Sequence, residues 1–523
     1  MTDSNVRATP SLARNIVFNV GARGVLIVLS IAITPVLVHR LGTEQYGIYS
    51  LATALGSGLT NVFALGLIPG IVAMLSRSLG QRNDADTQNV IGTAITLFAV
   101  VGIIGSVTLA LAVPFLVHDL LRIPVSLQGV AATALWISAL GLGLNLTFAV
   151  FNAVPYALQR YDIIASRIVG LTLLSMAATV VYVLIDANLT GVMVIQVVAG
   201  VLGLAVYYAV SSRHLPHVRF LPGFDRPTFV RLARFTAFKS LGDIALTFGS
   251  RFDQFAIGSL LSVGAVGFYA VPATACQRLL QLLGEVAAPM FPRMSTVGDE
   301  ERRTLLIRGT RLIALLSSFI AVVLVSLPEP ILRVWIGSHQ GVLVAGQASQ
   351  AMRFLAGAMF LQAIAVVGNY YCESIQRPFV NNSFIVLGAI VQVPAILLLL
   401  PRMGITGAAF GVFIACAIQT APFLILMSDR VAGVSPIRLM LESLGGPAVA
   451  AVAAAVVGLA LHEFATNLWS LAGVVALMGA VYAASAIATG GIRRGDLALM
   501  HRSLPASVTR RFGDAFFLRW VKP

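Results

Sequence analysis

Long apolar runs broken by short polar segments organise this chain. They fall at residues 15–38, 46–74, 90–116, 128–157, 163–184, 190–210, 235–261, 265–292, 309–327, 347–372, 380–400, 404–427, 444–461 and 468–489. Each is near or above the roughly 20 residues with which an α-helix crosses a bilayer. The pattern predicts an all-α integral membrane protein of about fourteen spanning helices. The runs are too long for the strands of a membrane barrel. The first begins near Asn15 and has no small-residue cleavage site, so it reads as a helix that stays in place. Composition agrees: 58% of the 523 residues are hydrophobic and 11% are charged, against about 25% charged in soluble domains.

The net charge of +14 could point to nucleic acid, but its distribution argues otherwise. With the N-terminus inside, the segments on the cytoplasmic side hold 26 of the 35 Lys and Arg residues, and the outer loops hold four: Arg40, Arg122, Arg333 and Arg402. Basic residues accumulate on the cytoplasmic side of polytopic proteins, so the bias predicts cytoplasmic termini and needs no nucleic acid. The outer loops, of which 328–346 is the longest, have no room for a soluble domain. The basic, aromatic-rich tail from Gly490 suits a helix lying on an anionic leaflet.

The chain also repeats itself. Tyr46-Gly47-Ile48-Tyr49 resembles Val266-Gly267-Phe268-Tyr269, 220 residues later. Asn152 with Gln159-Arg160 returns as Asn369 with Gln376-Arg377 at an offset of 217, and Leu189-Thr190-Gly191 as Ile405-Thr406-Gly407 at 216. The interval spans six helices. An even number makes this a parallel repeat, with its pseudo-two-fold axis along the membrane normal. The expected organisation is an N-terminal lobe (1–212, helices 1–6), a cytoplasmic linker (213–234) and a C-terminal lobe (235–428, helices 7–12). An extra pair follows (429–489, helices 13–14), then a basic tail (490–523).

Candidate chemistry lies in the buried charge. Lys239, Asp243, Arg251, Asp253, Arg278 and Glu285 all fall within one apolar hairpin. An ionisable group in hydrocarbon costs about 2.5 kcal/mol or more even on mild insertion scales, so this hairpin is expected to face a polar interior. Arg23 lies ~12 Å and Arg278 ~18 Å along their helices at 1.5 Å per residue. Guanidinium is permanently charged and binds phosphate as a fork. Arg23 and Arg278 are therefore candidates for an acidic head group, with Gln281, Asn369 and Arg353 as further lining. The alternative is that they tie helices together by capping carbonyls or pairing with acids. Asp243 and Asp253 are candidates for coupling to a proton or cation, or else partners for the arginines; Glu285, near the cytoplasmic end, reads as structural. The first six helices contain no buried acid. Cys276, Cys372 and Cys416 have neither disulfide nor metal spacing, and no nucleophile, phosphate-loop or cofactor motif is present. The pattern therefore predicts no enzyme, no metal and no cofactor.

The segment Asn15 to Arg82, with Leu41-Gly42-Thr43-Glu44-Gln45-Tyr46-Gly47-Ile48-Tyr49 and Leu65-Gly66-Leu67, resembles the opening of the Wzx-type polysaccharide flippases. These belong to the multidrug/oligosaccharidyl-lipid/polysaccharide exporter superfamily. Val266-Gly267-Phe268-Tyr269 and Pro289-Met290-Phe291-Pro292-Arg293-Met294-Ser295 extend the resemblance, which covers roughly residues 12–430. It implies a two-lobed transporter in a bacterial cytoplasmic (inner) membrane. The implied cargo is a polyprenyl-diphosphate-linked oligosaccharide for surface polysaccharide, with membrane lipid and polysaccharide polymerase machinery as partners. A lipid-linked peptidoglycan precursor flippase and a drug or cation antiporter are the related alternatives. The missing acid in the first lobe weighs against the antiporter, and the Leu-Gly-x-x-x-Tyr-Gly-x-Tyr pattern against the peptidoglycan branch.

Overall fold

The computed structural model describes residues 12–64, 67–81, 83–158 and 160–491, without the side chains of 12–23, 61–64, 69, 148, 161–163, 165, 235–250 and 338. Its helices are α1 (Leu12–Ala64), α2 (Leu67–Gly80), α3 (Asp84–Phe115), α4 (Val125–Ala157), α5 (Tyr161–Ile185), α6 (Leu189–His214), α7 (Arg226–Leu260) and α8 (Val263–Ala287). After them come α9 (Met290–Thr296), α10 (Asp299–Ser326), α11 (Pro328–Ile336), α12 (Ser338–Ser374), α13 (Pro378–Met403), α14 (Ile405–Leu426), α15 (Pro436–Ala460) and α16 (Leu468–Ala488). Among the described residues there is no strand, and eleven helices are long and apolar enough to cross a membrane. Among the described residues, each of the fourteen predicted runs lies mainly on helix. The protein is a multi-pass, all-α membrane protein.

Local chemistry sets the breaks. Gly42 has φ 77° and ψ 166°, backbone that only glycine adopts without strain. It bends α1 between the first and second apolar runs. Asn83, Asn188, Asp225 and Asn467 cap α3, α6, α7 and α16 through side-chain oxygens that accept the first free N–H groups. Asp84 and Asp86 add negative charge to the first turn of α3, complementing its dipole. Outward faces remain apolar: Val100, Ile103, Val107 and Leu111 form an exposed stripe on α3, and Val449, Val452, Val456 and Leu459 do so on α15. Steps of three and four residues put such groups on one helix face, which lipid rather than protein covers.

Among the described residues the chain divides into two compact units. One holds the chain up to Arg278 with Trp335–Ala351 and Ile385–Ala415; the other holds Leu279–Val334, Met352–Phe384 and the chain from Cys416 on. In the first, Phe98, Leu142, Leu146, Tyr207 and Tyr269 are fully buried. In the second, α15 and α16 dock on α10. The Tyr482 hydroxyl donates to the Leu315 carbonyl at 2.8 Å and bonds Ser318 at 2.8 Å, and the Ser443 hydroxyl donates to the Ile307 carbonyl at 3.1 Å.

Two expectations change in detail. The 328–346 segment, expected as an outer loop, is helical: α11 starts at Pro328 and carries a Glu329–Arg333 pair four residues apart, a spacing that stabilises a helix. Arg311, one of the 26 basic residues counted on the cytoplasmic side, is 2% exposed. It shares a buried face of α10 with Ile307 and Ala314, because α10 begins at Asp299 and packs against α15.

Candidate functional site

The repeated motif at 46–49 and 266–269 meets itself in the first unit. A Cβ added at Gly47 would overlap the carbonyl oxygen of Val263, and one at Gly267 would overlap that of Thr43. Gly47 and Gly267 are 220 residues apart, and so are Thr43 and Val263. The contact is therefore reciprocal, as a pseudo-two-fold axis between α1 and α8 requires. Small residues let helix backbones touch in a membrane; here two glycines are the condition for the contact. It lies at the helix ends that the charge pattern assigns to the outside.

A buried polar cluster forms beside this crossing. Tyr46, Tyr49 and Ser50 share a face of α1 at spacings of three and four. Arg251, Asp253 and Gln254 come from α7; Tyr269, Thr274 and Arg278 come from α8. The Tyr46 and Tyr49 rings are 6.1 Å apart, tilted by 30°. The Tyr46 hydroxyl reaches the side chains of Thr34 and Thr274, and that of Tyr49 reaches Gln196 on α6. Arg278 is close enough to Tyr46, Tyr49 and Arg251 to interact with each electrostatically. Two permanently charged guanidiniums and two phenol rings thus lie in one electrostatic neighbourhood.

Asp253 is wired differently. It is 5% exposed. Its Oδ2 accepts from the Tyr269 hydroxyl at 2.5 Å and its Oδ1 from the Gln254 backbone N–H at 2.8 Å, with Arg251 as a charged neighbour. Such short O–H···O contacts mark a charge-assisted bond. Gln254, 2% exposed, accepts from the Ser50 hydroxyl at 3.2 Å. These bonds tie α7 to α8 and α1.

Of the residues expected from sequence, Arg278 and Asp253 come together here. Arg353 is half-buried on α12 with its Nε out of contact with solvent. Asn369 is half-buried on the same helix, and Gln281 is exposed on α8; these three belong to the second unit. The side chains of Arg23, Lys239 and Asp243, and the tail from residue 492, lie outside the described residues. Arg251 and the tyrosines are the members the sequence reading did not single out as binding residues. Arg251 could have been found, since it lies in the same charged hairpin as Arg278. The tyrosines carried only a repeat signal. Among the described residues, no group of His, Cys, Asp and Glu could hold a metal ion.

Comparison with known proteins fits this architecture. A protein of Shigella flexneri assigned as an O-antigen transporter is 20% identical over 371 residues, covering 68% of this chain and 83% of that protein. Among solved structures, the lipid II flippase MurJ in an inward closed conformation matches with a TM-score of 0.73 at 12% identity, over 92% of this chain and 100% of its own. An inward-facing MATE-family multidrug transporter matches with a TM-score of 0.61 at 14% identity, over 80% and 98%. At these identities the structural likeness defines the fold. The family model for polysaccharide biosynthesis proteins matches residues 36–344, more than half of the chain and including the α1–α8 crossing and the arginine pair, and the chain belongs to that family.

Proposed function

We propose that the protein is a flippase. It carries a polyprenyl-diphosphate-linked oligosaccharide from the cytoplasmic to the external leaflet of a bacterial cytoplasmic membrane, for surface polysaccharide synthesis, by alternating access. The observation that carries this reading is the Arg251–Arg278 pair beside Tyr46 and Tyr49, in a chain of the polysaccharide biosynthesis family. A diphosphate spreads its charge over two phosphoryl groups, and two fork-shaped cations match it where a single amine would not. In a low-dielectric site such contacts are stronger than in water. The phenol rings offer apolar faces to sugar and polar edges to its hydroxyls. Gln281, Asn369 and Arg353 are assigned to the oligosaccharide, and Arg23 to the same head group as Arg278. Asp243 and Asp253 are assigned to coupling with an ion gradient. The glycine crossing of α1 and α8 acts as the outer gate. It opens when cargo leaves toward the polymerase machinery outside.

The test is genetic and biochemical together. A strain lacking the protein loses its surface polysaccharide and accumulates the lipid-linked unit on the inner leaflet. Arg278→Ala gives the same loss at normal protein levels, and Arg278→Lys, which keeps the charge without the fork, restores part of the activity. A strain that keeps its polysaccharide but becomes drug-sensitive overturns this reading in favour of a drug exporter. One that fails in cell-wall synthesis favours a peptidoglycan precursor as cargo.

A further inference from the structure

The linker between α6 and α7 is a strap seated on α3. Gln88 grips the backbone of Arg219 from both sides: its amide donates to the Arg219 carbonyl at 2.6 Å and its carbonyl accepts the Arg219 N–H at 2.6 Å. Further along, the Gly223 N–H donates to the Gly92 carbonyl at 3.1 Å, the Thr96 hydroxyl to the Gly223 carbonyl at 2.8 Å, and the Asp225 N–H to the Thr93 hydroxyl at 3.0 Å. Asp225 then caps α7 through Thr228, and Arg231 pairs with Asp86 at 3.0 Å. A path fixed by this many backbone bonds is a built surface, not a loose connection.

Between strap and helix lies a cleft of about 500 Å³, lined by polar groups of both signs, among them Asp84, Gln88, Asn89, His217 and Arg219. Its depth order is informative. Thr96, which holds the strap tip, is one turn from Val100, where the lipid-facing stripe of α3 begins. The tip therefore sits at the boundary between acyl chains and head groups. There it exposes two large apolar side chains, Leu221 at 60% and Phe224 at 66%, groups that water would disfavour and an acyl boundary would cover. Asn89 and Arg219 come next toward the cytoplasm, and Asp84, the first residue of α3, lies beyond them. Of the three carboxylates here, Asp86 is taken by Arg231 and Asp225 by the α7 cap. Asp84 has no such bond among the described residues.

Apolar, cationic and anionic groups thus follow one another from the membrane outward. A phospholipid with a zwitterionic head presents acyl chains, phosphate and ammonium in the same order. We propose that the cleft holds the head group of a zwitterionic, amine-bearing phospholipid of the cytoplasmic leaflet, with its phosphate at Arg219 and Asn89 and its ammonium at Asp84. The site is separate from the Arg251–Arg278 cluster and does not depend on the cargo assigned to it. A purely anionic lipid would place no cation opposite Asp84 and is the poorer fit.

Native mass spectrometry of the full chain, released from micelles doped with equal amounts of phosphatidylethanolamine and phosphatidylglycerol of matched chains, tests this. The wild type should retain phosphatidylethanolamine several-fold over phosphatidylglycerol. Asp84→Asn should abolish that preference while leaving total lipid retention similar. Arg219→Gln, which spares the backbone bonds to Gln88, should lower retention of both. Thermal unfolding in lipid-free detergent should be the same for all three proteins, since both side chains are exposed. Equal retention of the two lipids by the wild type overturns the proposal, as does a preference that survives Asp84→Asn. So does displacement by soluble phosphoethanolamine as effective as by the lipid, which would place a soluble metabolite in the cleft.

Discussion

The two copies of the repeated turn, 41–50 and 261–270, share a glycine crossing and differ in wiring. Both end in a Gly-x-Tyr step, and the two glycines are each other's contact. Tyr269 is completely buried and donates to Asp253 at 2.5 Å. Tyr49, at the equivalent position, is partly exposed, reaches an amide at Gln196 and sits in the field of Arg278. One copy has become a clamp, and the other has kept a phenol available beside a guanidinium pair. Pseudo-symmetry preserves what backbone contact demands. It leaves side chains free to diverge, because a hydroxyl's partners are set by whichever helix lies beside it.

The largest effect should come from the shared feature. Gly47→Leu or Gly267→Leu puts a side chain where a backbone oxygen stands, so α1 and α8 cannot close. Transport should be lost, and a Ser50→Cys reporter, with Cys276, Cys372 and Cys416 replaced, should become labelled by an impermeant maleimide from outside. Unchanged labelling with intact transport would mean the crossing is not a gate. Gly→Ala at either position should produce the same change more weakly.

The next effect separates the copies. Tyr269→Phe leaves a buried carboxylate short of a donor, which costs on the order of 1–3 kcal/mol and should lower the unfolding temperature in detergent. Tyr49→Phe should leave that temperature nearly unchanged and reduce transport instead. Equal destabilisation by both substitutions would erase the distinction drawn here. Smaller still is Ser50→Ala, which removes a neutral bond to Gln254 worth about 0.5–1.5 kcal/mol.

The smallest effect concerns the strap. The Thr228 hydroxyl and backbone N–H both donate to Asp225 and hold its carboxyl below the ordinary carboxylate range. A lowered folded-state value means the cap's contribution is complete at neutral pH and fades as pH falls through that depressed value. Hydrogen exchange at the start of α7 should therefore stay slow down to the usual carboxylate range and quicken only in stronger acid. Asp225→Asn should remove this pH dependence.

Much of this was determined by the sequence alone. Runs of twenty apolar residues can only be helices in lipid, because an unpaired backbone group there is too costly, so each predicted run lies mainly on helix among the described residues. The repeat at an offset of 220 was legible because both copies must keep glycine at one crossing. Charge inside an apolar hairpin marked Arg278 and Asp253 for the same reason of cost. Tertiary structure decided who meets whom. Sequence marked Arg251 only as one charge in the hairpin, whereas in space it interacts electrostatically with Asp253 and Arg278. It marked Asp253 as a buried acid, and only the fold shows that Tyr269 and Gln254 hold its two oxygens. It treated 213–234 as a connection, and only the folded chain turns it into a strap lining a cleft. Burial cost acts on one residue at a time and so can be read from one chain. Pairing depends on groups brought together from distant helices, and no local pattern records it.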